Sequence, residues 1–179
     1  MSGAISTLSY LSRRLAAYLS DAALLFAGVV ATQMLLLGLG RHPFHAALAA
    51  GVWPDGRSLH LWVLVSASAP VWFYFAGFQS SAWQATPGQR WLGLRVTDLA
   101  GGRLSFGRAL VRAVVTLIPF EVNHFVLLQL TPAAPGFAGG LAVVYGLLAV
   151  YLGALVASAR RQSVPDWLVA SQVIRVGPA

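Results

Sequence analysis

The sequence contains no cysteine and no lysine, and it is poor in charged residues of either sign. Without cysteine, the chain forms no disulfide and offers no thiolate ligand to a metal. Charged residues make up 9% of the 179 positions and hydrophobic residues 58%, whereas soluble domains carry roughly 25% charged residues. These proportions argue against a soluble globule and indicate a protein that lies in a membrane.

Four apolar segments are long enough to cross the hydrocarbon core of a bilayer, which takes about 20 residues in a helix. The predicted spans cover approximately residues 15–39, 59–78, 110–130 and 140–157. The first segment is too long for the apolar region of a cleaved export signal and is followed by further spans, so we interpret it as a retained helix. The sequence therefore predicts an all-α membrane protein, with four transmembrane helices in one unit over residues 1–179.

All twelve basic residues are arginines, and they are distributed unevenly between the spans. The loop after the first span has only Arg41 and Arg57, and the loop between the third and fourth spans has none. The others precede span one, lie between spans two and three, or follow span four. By the positive-inside rule, both termini are predicted to be cytoplasmic. Because topology accounts for the arginines, no nucleic-acid partner is expected.

The predicted cytoplasmic parts are an insertion at residues 79–107 and a tail at residues 158–179. Apolar residues alternate with others over residues 92–97, and Gly101–Gly102 supplies a turn before residues 103–105, which predicts a short hairpin-like insertion. The tail has a second extended run at residues 172–176. Since an isolated two-stranded ribbon is marginal in water, a sheet joining insertion and tail is the alternative.

A stripe of polar or small residues runs along one face of the first span. At 100° per residue, the stripe contains Arg14, Tyr18, Asp21, Gly28 and Thr32. A carboxylate facing lipid costs a few kcal/mol, so the stripe should face the bundle interior. Asp21 is then either an interhelical clamp, neutralised by an arginine or by hydroxyl and indole donors, or a protonatable or cation-coordinating site in a transport path.

We predict that an arginine holds Asp21, with Arg14, Arg108 and Arg112 as the candidates and Tyr18 as an assisting donor. Arg108 and Arg112 are four residues apart at the start of span three. Their alternative role is to bind lipid phosphate, as basic clusters at a membrane surface do.

Span three carries a second polar group, Glu121 and His124, after Pro119. The two lie three residues apart on one helix face, as in carboxylate-bridged metal sites. Such sites need further carboxylates, and Asp21 is the only other acidic residue within a span, so no metal or other cofactor is expected. The pair either lines a polar cavity or lies at the outer interface.

The motifs of this chain resemble those of the RDD family of bacterial membrane proteins, named for one arginine and two aspartates. The resemblance rests on the first-span stripe, on "TPGQRWLGLRVTDLAGGRLSFGRALVR" between spans two and three, and on "RRQSVPDWLVASQVIRV" at the end. It assigns the arginine to Arg14 and the aspartates to Asp21 and Asp166. The chain departs from the usual pattern at Gln89, Pro165 and Ala170–Ser171. The resemblance implies location in the bacterial cytoplasmic (inner) membrane, and transport, including sodium/proton exchange, has been proposed for members.

Two functions remain open at this point. The first is a small ion- or proton-coupled transporter that uses Arg14 and Asp21 and oligomerises to enclose a path. The second is a non-transporting accessory or assembly subunit that docks onto a larger membrane complex. An enzyme is not expected, because the sequence shows no nucleophile–base pair or cofactor motif. Asp21 and Glu121 discriminate between them: if both are water-accessible and joined by a cavity, transport is favoured, and if both are dry and paired, a structural role is favoured. The expected partners are the lipid bilayer and either further copies of the chain or a larger complex.

Overall fold

The computed structural model describes residues 2–176, with side chains from residue 9 onward. Within this part of the chain, four helices are long and apolar enough to cross a membrane, which confirms the predicted fold class. They span Ser9–Gly38, Gly56–Ser80, Phe106–Gln129 and Pro135–Ala157. The last residues of the predicted tail, 177–179, lie outside the described part.

Each of these helices begins before its predicted span, because capping residues and proline, and not apolarity alone, set the start. The Ser105 hydroxyl accepts from the backbone N–H of Arg108, and the Asp55 carboxylate accepts from that of Ser58. Pro135 occupies the first turn of the fourth span, where its missing N–H leaves no hydrogen bond unmade.

The first half of the chain contains two of the four spans. Helix α1 covers Ser2–Gly38, and the short α2 (His45–Ala49) lies in the loop that follows. The second span is α3 (Gly56–Val63) and α4 (Ala69–Ser80), joined by a π-helical turn at residues 64–68. Pro70 explains this turn, because it has no N–H and its ring would clash with the carbonyl four residues earlier in a regular helix.

The second half contains the other two spans and the short elements between and after them. Helix α5 (Pro87–Trp91) and strand β1 (Leu94–Asp98) form the insertion, and α6 (Phe106–Gln129) and α7 (Pro135–Ala157) are spans three and four. Helix α8 (Val164–Leu168) and strand β2 (Ser171–Arg175) follow.

Helix α6 is the central helix of the bundle, in contact with α3, α4 and α7. Two glycines permit close approach: a Cβ at Gly140 of α7 would lie 2.5 Å from a methyl of Val126, and a Cβ at Gly56 would overlap the Leu128 carbonyl. Small residues at α7 positions 139, 146 and 153 do not pack within the bundle, because a Cβ there would meet nothing within 4 Å.

The two strands pair antiparallel and join the insertion to the tail. Val96 lies opposite Val173, and Arg95 opposite Ile174. This pairing confirms the alternative sheet, and the predicted return strand at residues 103–105 is wrong. Asp98 closes a tight turn by accepting from the N–H groups of Ala100 and Gly102, and the chain then enters α6 directly.

Residues 81–105 and 158–176 together form a layer at one end of the bundle, which we call the platform. Apolar residues from the strands and from α1, α4 and α6 share one buried core beneath it. The buried members of this core are Tyr10, Ala17, Ala76, Leu94, Val96, Leu104, Ala109 and Val173. The platform is thus packed onto the helices and is not a loosely tethered loop and tail.

Candidate functional site

Asp166 lies at the centre of a buried polar cluster, and its residue is 0% exposed. Oδ1 accepts from Arg112 Nε at 2.9 Å and from Ser171 Oγ at 3.1 Å. Oδ2 accepts from Arg14 Nη2 at 3.2 Å, and from the Ser163 backbone N–H at 3.0 Å and hydroxyl at 2.8 Å. Arg112 Nη2 also lies 2.8 Å from Oδ1, in ion-pair contact but without hydrogen-bond alignment. A carboxylate has about four lone-pair positions, so donors of this chain fill it.

Asp166 reaches this position through the local sequence of the tail. Ser163 is the N-cap of α8 and Asp166 the third residue of that helix, so the carboxylate turns back onto the Ser163 N–H. Pro165 in the first turn has no N–H to leave unpaired. The tail therefore presents its only acidic residue toward α1 and α6.

The two guanidiniums decide the charge state of Asp166. Burial alone would raise the pKa of the Asp166 carboxyl, but Arg112, Arg14 and the Ser163 hydrogen bonds outweigh it and hold that pKa well below its usual value. Asp166 is thus an anion at neutral pH, between two buried cations. Because one anion faces two cations, polar groups of the chain must stabilise the remaining positive charge of the two guanidiniums.

Arg14 shares its charge with the tail backbone. Its Nη1 donates to the Arg161 carbonyl at 3.0 Å and to the Tyr10 hydroxyl at 3.2 Å. Tyr10 in turn donates to the Val173 carbonyl at 2.8 Å. Arg14 therefore contacts the tail before and within α8, and reaches strand β2 after it through Tyr10.

Arg112 shares its charge with the insertion through two glutamines. Its Nη1 donates to Gln79 Oε1 at 2.9 Å, and Gln79 Nε2 lies 3.4 Å from Gln89 Oε1. Gln89 Oε1 also accepts from the Thr86 N–H at 3.0 Å, which fixes the first turn of α5. The Asp166 cluster is thereby continuous from the tail through α6 and α4 to the insertion.

Asp21 lies in a second buried cluster, which fastens α5 to α1, and it too is 0% exposed. Oδ1 accepts from the Tyr74 hydroxyl at 2.8 Å and from the Gly88 N–H at 2.9 Å. Oδ2 accepts from the Thr86 hydroxyl at 2.5 Å. No side chain fits at Gly88, because a Cβ would lie 2.5 Å from the Ala17 carbonyl oxygen and 2.8 Å from Asp21 Cγ.

The prediction that an arginine holds Asp21 is wrong for the residues described, which include all twelve arginines. Arg14 and Arg112 pair with Asp166. Arg14 lies about 10 Å from Asp21 along α1, and the tail carboxylate occupies its reach. Asp21 is instead held by hydroxyl and backbone donors, the other form of clamp that the sequence left open.

Two further expected roles are also wrong. The tyrosine that donates to Asp21 is Tyr74, whereas the Tyr18 ring packs near Phe75 at a centroid distance of 6.2 Å. Arg108 donates to the carbonyls of Val169 and Ala170 at the end of α8. Since Arg112 is also buried, this pair does not form a site for lipid phosphate.

Glu121 and His124 lie on α6, apart from both carboxylate clusters. Glu121 Oε2 is 3.8 Å from His124 Nδ1, too far for a hydrogen bond. Neither atom has a hydrogen-bond partner within the described residues, and the same holds for His60 Nδ1 and Ser68 Oγ. In this part of the chain, no group of three or more histidine, aspartate or glutamate residues is arranged to hold a metal.

Sequence reasoning missed the donors other than arginine that hold the two aspartates: Tyr74, Thr86, Gly88, Ser163 and Ser171. Thr86 and Ser163 carry an available signal, which is an N-cap pattern. Each is a hydroxyl residue with a proline one or two positions later and a polar side chain at the third position. Nothing local in the sequence marks Tyr74.

The family model described as the RDD family matches residues 8–170. This range contains Arg14, Asp21 and Asp166 and covers most of the chain. No curated protein and no solved structure matches it.

Proposed function

The chain belongs to the RDD family, and from that premise we propose that it is a non-transporting accessory subunit of a larger membrane complex. In this proposal, the arginine and aspartates of the family motif hold the platform onto the four-helix bundle, and the platform is the surface that a partner recognises. The observation that carries the proposal is the full burial of Asp166 between Arg14 and Arg112.

The geometry of both aspartates supports an anchoring role over ion transport. A carboxylate that coordinates a moving ion must present free lone pairs to it, whereas Asp166 and Asp21 point theirs at donors of the same chain. Those donors come from α1, α4, α5, α6 and the tail, so releasing either carboxylate would separate packed elements. Each change would also leave buried polar groups unpaired, which is costly.

We place the platform on the cytoplasmic side of the bacterial inner membrane. Ten of the twelve arginines, all but Arg41 and Arg57, lie in or next to the platform. Because the chain has no native cysteine, single cysteine labels test the orientation without background. Labels at Ala100 and after Ser163 should react only from the inside and a label at Gly51 only from the outside. The reverse pattern would contradict the orientation.

Purification from native membranes tests the accessory role. A tagged chain should bring down a fixed partner in stoichiometric amount. Asp166→Asn should stay in the membrane but lose that partner, while the exposed control Arg160→Gln should keep it. Isolation of the wild-type chain alone, at full yield from gently solubilised membranes, would contradict the proposal.

Ion- or proton-coupled transport is the second candidate, favoured by the unpartnered polar atoms on α3, α6 and the π-helical turn. Glu121, His124, His60 and Ser68 contribute these atoms. Polar groups within a span are costly and often mark ion or proton pathways. If this candidate is correct, proteoliposomes should show proton-coupled cation flux that Glu121→Gln abolishes. Flux of this kind would replace the accessory proposal.

A further inference from the structure

The platform carries a basic pocket of about 520 Å³ that none of the described roles uses. Four arginines line it: Arg13 from α1, Arg90 from α5, Arg95 from β1 and Arg175 from β2. The indoles of Trp83 and Trp91 also line it, and the Arg90 guanidinium lies 4.5 Å from the Trp83 ring centroid. Its volume is in the range of ordinary small-ligand sites.

Within residues 2–176, no acidic side chain provides this pocket with a counter-ion. The chain has five acidic side chains, and none of them lines it. Asp21 and Asp166 are buried in their own clusters, and Asp98 closes the turn after β1. Asp55 and Glu121 lie toward the other end of the bundle, Glu121 about 20 Å along α6 from its platform end.

Within the described residues, none of the three salt bridges includes a pocket arginine. Arg13 makes one long hydrogen bond, from Nη1 to the Leu92 carbonyl at 3.4 Å. Four guanidiniums around one cavity repel each other, so an anion that enters is stabilised by all of them. Guanidinium groups are well suited to phosphate because they donate two parallel hydrogen bonds.

An apolar groove of about 500 Å³ continues from the basic pocket along α4. Phe73, Gly77 and Phe78 line it, and it shares Ala82 and Trp83 with the pocket. Because α4 is part of a membrane span, the groove runs from the platform toward the hydrocarbon region. The two cavities therefore present a cationic end and an apolar end to a single ligand.

We propose that these adjoining cavities bind one anionic phospholipid, with its phosphate headgroup among the four arginines and an acyl chain in the groove on α4. A soluble phosphate compound would satisfy the pocket but not the groove, and a zwitterionic lipid would satisfy the groove but bring a further cation to a pocket that already holds four. The lipid is from the leaflet on the platform side. This inference does not depend on whether the chain is an accessory subunit or a transporter.

The test is lipid titration of the full chain in neutral detergent, with bound lipid counted by native mass spectrometry. Phosphatidylglycerol should bind at one saturable site at least tenfold more tightly than phosphatidylcholine. Arg90→Gln with Arg95→Gln should weaken phosphatidylglycerol binding roughly thirty-fold, which corresponds to about 2 kcal/mol for two arginines near an anionic headgroup. Arg103→Gln with Arg160→Gln is the matched control, since both are exposed platform arginines outside the pocket.

The groove has its own pair of variants. A Cβ at Gly77 or at Gly28 of α1 would meet nothing within 4 Å, so both positions accept leucine, but only Gly77 lines the groove. Gly77→Leu should weaken binding of long-chain phosphatidylglycerol and leave its dihexanoyl analogue unaffected, while Gly28→Leu should change neither.

Three results would overturn the proposal. The first is equal affinity for phosphatidylcholine. The second is an equal loss of affinity in the control pair and the pocket pair. The third combines two observations: inorganic phosphate displaces phosphatidylglycerol when present at the same concentration, and Gly77→Leu leaves phosphatidylglycerol binding unchanged. Together they would identify a soluble anion as the ligand. If the pocket pair melts earlier than wild type, Arg13→Gln with Arg175→Gln provides an independent pair with the same expected loss.

Discussion

Asp166→Asn is the substitution whose cost the structure defines most closely. An amide nitrogen must replace one of the two oxygens, and each faces N–H donors: Arg112 on one side, Arg14 and the Ser163 backbone on the other. Neither rotamer of asparagine avoids placing N–H against N–H. The change also leaves two guanidiniums uncompensated, at 5% and 1% exposure. Breaking one buried ion pair costs about 3–5 kcal/mol, and here one anion serves two cations.

We therefore expect Asp166→Asn to lower the melting temperature by roughly 10 °C or more, at about 2–4 °C per kcal/mol for a chain of this size. Asp21→Asn is the matched comparison, because it is the same chemical change in an equally buried site. The Thr86 hydroxyl can reverse to accept from the new amide, so the loss there should be only about 1–2 kcal/mol.

Thermal unfolding in one detergent, followed by tryptophan fluorescence, measures both variants. Adding Arg112→Gln to Asp166→Asn should restore part of the loss, because it removes one of the unpaired cations. Equal destabilisation by the two asparagine variants, or a stable Asp166→Asn protein, would refute the reasoning.

Three further predictions concern the same clusters. Arg14→Lys should lower the free energy of unfolding by about 1–3 kcal/mol, because an ammonium cannot reproduce the guanidinium fork that reaches three acceptors. The control Arg13→Lys should be nearly neutral, and equal melting temperatures of the two variants would contradict this role of Arg14. Gly88→Ala should displace α5 and either abolish folding or lower the melting temperature. The control Gly107→Ala should do neither, because a Cβ there meets nothing within 4 Å. A fully stable Gly88→Ala protein would contradict the close approach of α5 to α1. The pKa of Asp166 is lowered in the folded state, so its contribution to stability is complete above its unfolded pKa of about 3.9 and is lost as pH falls through the folded value. The difference in free energy of unfolding between wild type and Asp166→Asn should therefore decrease only below about pH 4. If this difference instead decreases between pH 8 and 6, a titrating group other than Asp166 is responsible for it.

The helices were predictable because apolar length is a direct physical requirement of the bilayer. The π-helical turn before Pro70 was not predicted, although the proline that accounts for it is visible in the sequence. The strand at residues 94–98 was recognisable from alternation, but its partner was left open between two segments. The tight turn closed by Asp98 and the start of α6 at Phe106 leave no room for a return strand in the insertion, so the tail is the partner.

The candidate site was harder to predict, because ion pairing depends on which segments meet. Asp21 and Arg14 share a helix face, which makes them look like partners, yet their separation of about 10 Å along α1 means that each needs a partner of its own. Asp166 is 152 residues from Arg14 in the chain, and no local pattern shows which arginines it will meet. The burial of Asp21 in the bundle was predictable from the free-energy cost of exposing a carboxylate to lipid. Its donors could not be identified without knowing where α5 lies.

The central claim is that Asp166 holds the tail and the insertion together on the bundle, and disulfide cross-linking in intact membranes tests it most directly. Arg95 and Ile174 lie directly opposite in the two strands, within the Cα separation that a disulfide spans. Because the chain has no native cysteine, Arg95→Cys with Ile174→Cys should cross-link rapidly on mild oxidation, and the diagonal pair Arg95→Cys with Gln172→Cys should do so much more slowly. Adding Asp166→Asn should reduce the yield of the first pair several-fold. An undiminished yield with Asp166→Asn would show that the tail docks without this carboxylate and would contradict the account.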